Sequence, residues 1–187
     1  MKISPLALLV CAFTLMLPMA CFSAAEPAVE PGFVPLFTGK NLDGWQTAKT
    51  NAPEPLQGKT EAFGGRFKVT DGVLVYDPAV KGNLYIETTK EFAKDVHIKL
   101  EFNPGAKCNN DFFLRGTKFD IIPGTKETKD VKEGEWQTLE IIIQGDKVEH
   151  KINGQVVRTS KTSVATSRFM LRAEFGAIQI RNIRVKE

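Results

Sequence analysis

The sequence predicts an all-β protein, an antiparallel sandwich or barrel with almost no helix. Three observations predict it. Apolar and polar residues alternate with a period of two through most of the chain, as in strands with one buried and one wet face. Turn signals separate these runs every 8–12 residues or so. Only Thr88 to Lys94 reads as helical, and it is barely two turns long. No fixed-period repeat suggests a propeller or solenoid.

The elements follow in chain order. Lys2, the apolar run Leu6 to Leu17, Pro18 and the small residues Ser23-Ala24-Ala25 describe a secretory signal peptide over residues 1–25, cleaved before Glu26. Processing as a lipoprotein at Cys21 is the alternative, disfavoured by Pro18 three residues upstream. The apolar run is too short for a membrane span, which takes about 20 residues. Export to the periplasm or beyond is therefore expected. Residues 26–32 form an extended leader, and one domain occupies 33–187. A domain of roughly 160 residues buries about 70% of its unfolded surface, enough for a core that needs no staple. Cys108 is then the only cysteine left, so no internal disulfide forms, and a buried thiol is expected.

Within the domain, 46–65 reads as a long loop rich in Pro, Gly, Thr and Asn. Phe67 to Thr70 and Val73 to Tyr76 flank Asp71-Gly72, a hairpin turn. Val96 to Phe102 alternates without a break. Asp111 to Arg115 and Lys118 to Ile122 are short strands around Gly116. Trp136 to Gln144 and Val148 to Ile152 pair across Gly145-Asp146, and Asn153-Gly154 opens a further hairpin. Arg168 to Glu174 and Ala177 to Lys186 close the domain. At Arg181-Asn182 the apolar phase shifts from Ile178/Ile180 to Ile183/Val185, which predicts a bulge.

Composition excludes several functions. Of 187 residues, 25 are Lys or Arg and 22 Asp or Glu, so the net charge is only +3. Acids and bases interleave, which gives no basic face for nucleic acid. No Ser-His-Asp arrangement, phosphate loop or dinucleotide fingerprint is present, and no signal bears on oligomeric state.

Phe33-Val-Pro-Leu-Phe-Thr-Gly-Lys-Asn-Leu-Asp-Gly-Trp45 resembles the opening signature of the 3-keto-disaccharide hydrolase domain family. Val69 to Leu74, Val96 to Phe102, Asn109-Asn-Asp-Phe-Phe-Leu-Arg115, Gly134 to Gln137, Ile152 to Val156 and Arg181 to Val185 continue the resemblance in order. It spans Phe33 to Glu187 and implies a concanavalin-A-like jelly roll. It also implies an exported enzyme acting on 3-keto-glycosides. The chain departs from the family pattern at Phe119-Asp120, where the family carries Tyr-Glu, and at Leu171-Arg172, where it carries Leu-Gln.

That chemistry needs a base for the proton beside the ketone and a group to hold the enolate oxygen. A divalent metal is compatible with it, although no ligand spacing marks one. Candidate catalytic residues are Glu101 or Asp120 as base and Arg115 as enolate stabiliser. Asn110, Arg172, Glu174 and His97 are candidates for binding the sugar. The short connection through Pro104-Gly105 predicts that Glu101 and Arg115 lie on neighbouring strands, where a plain ion pair is the competing reading. His97, on the wet face of its strand, has solvation as its commoner reading, and His150 reads as a half-buried imidazole. Two other functions compete with the enzyme. One is a non-catalytic carbohydrate-binding sandwich using Trp45, Tyr76, Tyr85 or Trp136 as stacking platforms. The other is an envelope interaction module.

Overall fold

The computed structural model describes residues 30–93 and 95–187. The expected signal peptide, its cleavage site, Cys21 and residues 26–29 of the leader lie outside the described residues. Every regular element described is a strand, and together they form two antiparallel sheets, a jelly-roll sandwich as expected. Among the described residues no helix is long and apolar enough to cross a membrane.

The strands in chain order are β1 (Val34–Pro35), β2 (Trp45–Ala48), β3 (Glu61–Ala62), β4 (Phe67–Thr70), β5 (Val73–Tyr76), β6 (Leu84–Ala93) and β7 (Val96–Pro104). There follow β8 (Asn109–Leu114), β9 (Thr117–Ile121), β10 (Gln137–Gln144), β11 (Lys147–Ile152), β12 (Gln155–Lys161), β13 (Thr166–Phe175) and β14 (Ile178–Lys186). The larger sheet runs β12-β11-β10-β7-β14-β5-β4-β3, with β1 added along β14. The smaller runs β2-β6-β13-β8-β9.

Alternation decides what each strand buries. On β7, Val96, Ile98, Leu100 and Phe102 point inward and are almost wholly covered. They meet Leu139, Ile141 and Ile143 of β10 in register. From the smaller sheet, Ile86, Phe112, Leu114, Phe119, Phe169 and Leu171 complete the core. Trp45 is also inside, donating its indole N–H to the Leu36 carbonyl at 2.8 Å and meeting Phe169 edge-on. Burying side chains of this size contributes roughly 1.5–3 kcal/mol each, the main favourable term of the fold.

The bulge expected in the last strand is present. Pairing of β14 with β7 shifts between Arg181 and Arg184, and Asn182 takes a positive φ of 53°. The extra residue returns Ile183 and Val185 to the core face already used by Ile178 and Ile180.

Two expectations are corrected. Thr88 to Lys94 forms no helix; through Ala93 it is the end of β6. Here β6 bulges against β13, so that Glu87 pairs with Met170 and Glu91 with Arg168. The bulge breaks strict alternation and gives the local sequence its helical spacing. Ladder pairing and the return of Phe92 to the core prevail over that local pattern. The 46–65 loop also holds ordered structure. Its start is β2, paired with β6, and its end carries β3, paired with β4.

Candidate functional site

The outward side chains of the smaller sheet gather a dense set of paired charges. On β13, Phe169, Leu171 and Ala173 point into the core, which turns Arg172 and Glu174 outward. On β8, Asn110, Phe112 and Leu114 are the inward set, so Asp111 faces outward beside Arg172, its partner in register. Arg115-Gly116, both at positive φ, make the tight turn into β9. Counting back from that turn sets Asp120 directly opposite Asp111. Side chains directly opposite on one face lie within about 5.5 Å at Cβ, so the two carboxyl groups are neighbours.

Three cations hold this pair. Arg172 donates from Nη1 to Asp111 Oδ2 at 2.7 Å and pairs through Nη2 with Glu174 Oε1 at 2.6 Å. Its Nε donates to Asn83 Oδ1 at 2.6 Å, and its guanidinium lies 5.7 Å from the centre of the Tyr85 ring. Lys118 Nζ is 2.5 Å from Asp120 Oδ1 and 4.0 Å from Asp111 Oδ1. Arg158 adds a third positive charge near Asp120.

Burial separates the two acids. Asp111 has no exposed surface, whereas about a third of the Asp120 side chain is open to solvent. Burial, and then the carboxylate of Asp120, pushes the Asp111 carboxyl up to about 7. Burial opposes ionisation of Asp120 too, but Asp111 and Lys118 hold its carboxyl below the ordinary range. Asp111 Oδ1 meets no amide, hydroxyl or guanidinium donor. Protonation of Asp111 removes a buried charge that its surroundings do not fully compensate, so the two acids titrate as a coupled pair whose upper step falls near neutrality. Asp120, held ionised and partly open to solvent, is the acid of the pair placed to accept a proton.

Of the residues singled out in the sequence, Asp120, Arg172 and Glu174 come together here. Both departures from the family pattern fall on this cluster. Asp111 lies within a quoted motif but was passed over, although counting the hairpin register from Gly116 would have found it.

The other candidates lie elsewhere. Glu101 is on the opposite sheet, where Arg181 Nε and Asn182 Nδ2 each donate to it at 2.7 Å. Burial opposes its ionisation, yet Asn182 and Arg181 hold its carboxyl low. Arg115 is not its neighbour, which corrects the cross-strand expectation. After Pro104-Gly105 the chain crosses to the other sheet, so the short connection is no hairpin. Arg115 instead fastens the β8–β9 turn, its backbone N–H to Ser167 Oγ at 2.6 Å and its Nε to the Val164 carbonyl at 2.7 Å. Asn110 faces the core. It donates to the Phe175 carbonyl at 3.0 Å and accepts from the Glu174 N–H at 2.9 Å, so it fixes the strand end that presents Glu174.

His97 lies on the outer face of the larger sheet, 2.8 Å from Glu140 and edge-on to Phe33. Burial lowers its pKa despite Glu140. His150 is buried and stacks on Phe119, and burial beside Arg158 lowers its pKa to about 3. Among the proposed stacking platforms, Trp45 and Tyr76 are core residues. Tyr85 lies beside Arg172, and Trp136 lies 4.0 Å from the Arg181 guanidinium. Among the described residues no group of three or more His, Cys, Asp or Glu side chains is arranged to hold a metal ion.

Comparison with known proteins adds the following. The sequence profile of the 3-keto-alpha-glucoside-1,2-lyase-like domain matches residues 32–126 and 118–186. No curated protein sequence matches the chain. A candidate glycosyl hydrolase from Parabacteroides distasonis ATCC 8503 has a similar structure, with a TM-score of 0.66 at 18% identity over 83% of this chain and 93% of that one. A second from the same organism gives 0.62 at 17% identity, over 83% and 98%. The carbohydrate-binding module CBM66 from Bacillus subtilis gives 0.54 at 10% identity, over 78% and 96%. At these identities the likeness is one of fold.

Proposed function

The chain belongs to the 3-keto-alpha-glucoside-1,2-lyase-like domain family, and on that premise we propose that it is a carbohydrate-active enzyme that cleaves the glycosidic bond of 3-keto-glycosides. It acts after export, a reading supported by the N-terminal signal-peptide pattern. The observation that carries the proposal is the Asp111–Asp120 pair, two opposed carboxyls, one buried and one partly open to solvent, held between Arg172 and Lys118.

The ketone at C3 acidifies the C2–H bond. Asp120, the more exposed acid, takes that proton, and the electron pair moves into a C2–C3 enolate. The Lys118 ammonium beside Asp120 offsets the charge developing on the C3 oxygen. The enolate then collapses, C3=O reforms, a C1–C2 double bond appears and the C1–O bond breaks. The departing oxygen takes the proton from the carboxyl pair. Water adds across C1–C2, its oxygen to C1 and a proton to C2, so the net reaction is hydrolysis. Asp111 keeps its own proton throughout and tunes the basicity of Asp120, while Arg172 holds Asp111 in place.

Turnover of a 3-keto-disaccharide by the purified protein tests this. Asp120→Asn should lower kcat at least about 100-fold, the lower range for loss of an acid–base group. Glu101→Gln, on the other sheet, should leave kcat within about twofold. A larger loss in the Glu101 variant than in the Asp120 variant would refute the assignment. A second reading is a non-catalytic sugar-binding module, favoured by the fold likeness to a carbohydrate-binding module. Saturable sugar binding without turnover of any 3-keto-glycoside would establish it instead.

A further inference from the structure

We propose that the cleft on the far side of Asp120 is the subsite for the leaving group, and that this group is a neutral sugar held chiefly by Arg158 and Glu127. The assignment rests on the reaction proposed above.

The cleft, of about 280 Å³, is lined by Phe119, Asp120, Ile122, Thr125, Glu127 and Arg158. It forms where the free edges of the two sheets meet. β9 is the edge strand of the smaller sheet and β12 of the larger. Arg158 of β12 reaches across to the Lys118 carbonyl of β9. The loop after β9 is closed on itself, with the Thr128 N–H donating to the Thr125 carbonyl at 3.2 Å. Asp120 is common to the cleft and to the carboxyl pair. A sugar whose C2–H meets Asp120 therefore has a ready-made space beside it for the substituent on C1. At the small end of ligand-pocket volumes, the cleft suits one ring rather than a chain.

The lining chooses the chemistry. Glu127 and Asp120 accept hydrogen bonds, Thr125 does both, and Arg158 donates. Phe119 is already engaged by His150 at 4.7 Å and Arg158 at 5.0 Å, so the site offers polar contacts rather than a bare stacking face. Arg158 is anchored at the cleft by one nitrogen: Nη2 donates to the Lys118 carbonyl and lies 3.3 Å from His150 Nε2, while Nε is buried. Glu127 and Asp120 lie near enough to favour its charge. A sugar hydroxyl in the cleft accepts from the remaining guanidinium donors and donates to Glu127. The Glu127 carboxylate disfavours an anionic sugar, and the dense polar lining disfavours an apolar aglycone.

The test compares two substrates with the same 3-keto sugar, one a neutral disaccharide and one a methyl glycoside. The readout is the ratio of their kcat/KM values in the full protein. Arg158→Met preserves contact with Phe119 and should reduce the preference for the disaccharide by about tenfold or more, as expected for a lost hydrogen bond to a charged group. Glu127→Gln should reduce it by a smaller factor, and a disaccharide with an acidic second sugar should be the poorer substrate for the wild type. An unchanged ratio in both variants overturns the subsite while leaving the reaction standing. If the wild type turns over neither substrate, the reaction fails, and the subsite is judged by binding. Tighter binding of the disaccharide than of the methyl glycoside, lost in Arg158→Met, sustains it; equal affinities overturn it.

Discussion

Replacing Asp111 by Asn should change how stability depends on pH, and the wild-type dependence it removes runs opposite to that of an ion-paired acid whose pKa is depressed. In the unfolded chain the carboxyl titrates near its ordinary value of 3.8, and in the folded protein near 7. Between those values the native state holds a proton that the unfolded state has released. Wild-type stability therefore falls as pH rises through this window, by about 1.4 kcal/mol for each pH unit. Below it both states hold the proton, and above it neither does. From pH 5 to pH 7 the loss comes to about 2 kcal/mol, or about 4–8 °C of melting temperature in a domain of this size. Asparagine keeps the shape and cannot ionise, so its variant lacks this segment. The lowered pKa of Asp120 acts below the window, and the histidines are common to both proteins. The assay is a melting temperature at half-unit steps from pH 5 to pH 9. The variant should gain on the wild type up to about pH 7 and run parallel to it beyond pH 8. A constant difference across the range would refute the raised titration of Asp111.

Two further predictions concern the scaffold. Gly176 has a φ of 68°, and a Cβ there would lie 2.6 Å from the Lys107 carbonyl oxygen and 2.9 Å from Cys108 Cα. Gly176→Ala should therefore cost roughly 2–3 kcal/mol in urea unfolding, and a loss below about 0.5 would contradict that close approach. Cys108 is 2% exposed, and burial pushes its thiol up to about 11. It should react with a thiol reagent at pH 8 only as fast as the protein opens; immediate labelling of the native protein would contradict this.

What could be read in the sequence was what alternation and local turns control. The faces of β7 follow from seven residues of unbroken alternation, and the β14 bulge follows from the phase change at Arg181-Asn182. The short β2 and β3 were not legible, since their pairing partners supply the order. The candidate site divides the same way. Asp111 and Asp120 flank a two-residue turn, so their pairing follows from register counting alone. The separation of Glu101 from Arg115 depends on a crossing between sheets after Pro104-Gly105. A short connection between two strands does not say which sheet receives the second.

The central claim is that the Asp111–Asp120 pair removes the proton beside the ketone, and deuterium tests it most directly. Cleavage of a 3-keto-disaccharide in D₂O, followed by NMR of the released 3-keto sugar, reads the fate of C2–H. The account predicts deuterium at C2 of the first product formed, faster than exchange in substrate alone, and loss of this reaction in Asp120→Asn. Cleavage that leaves the original hydrogen on C2 would contradict it.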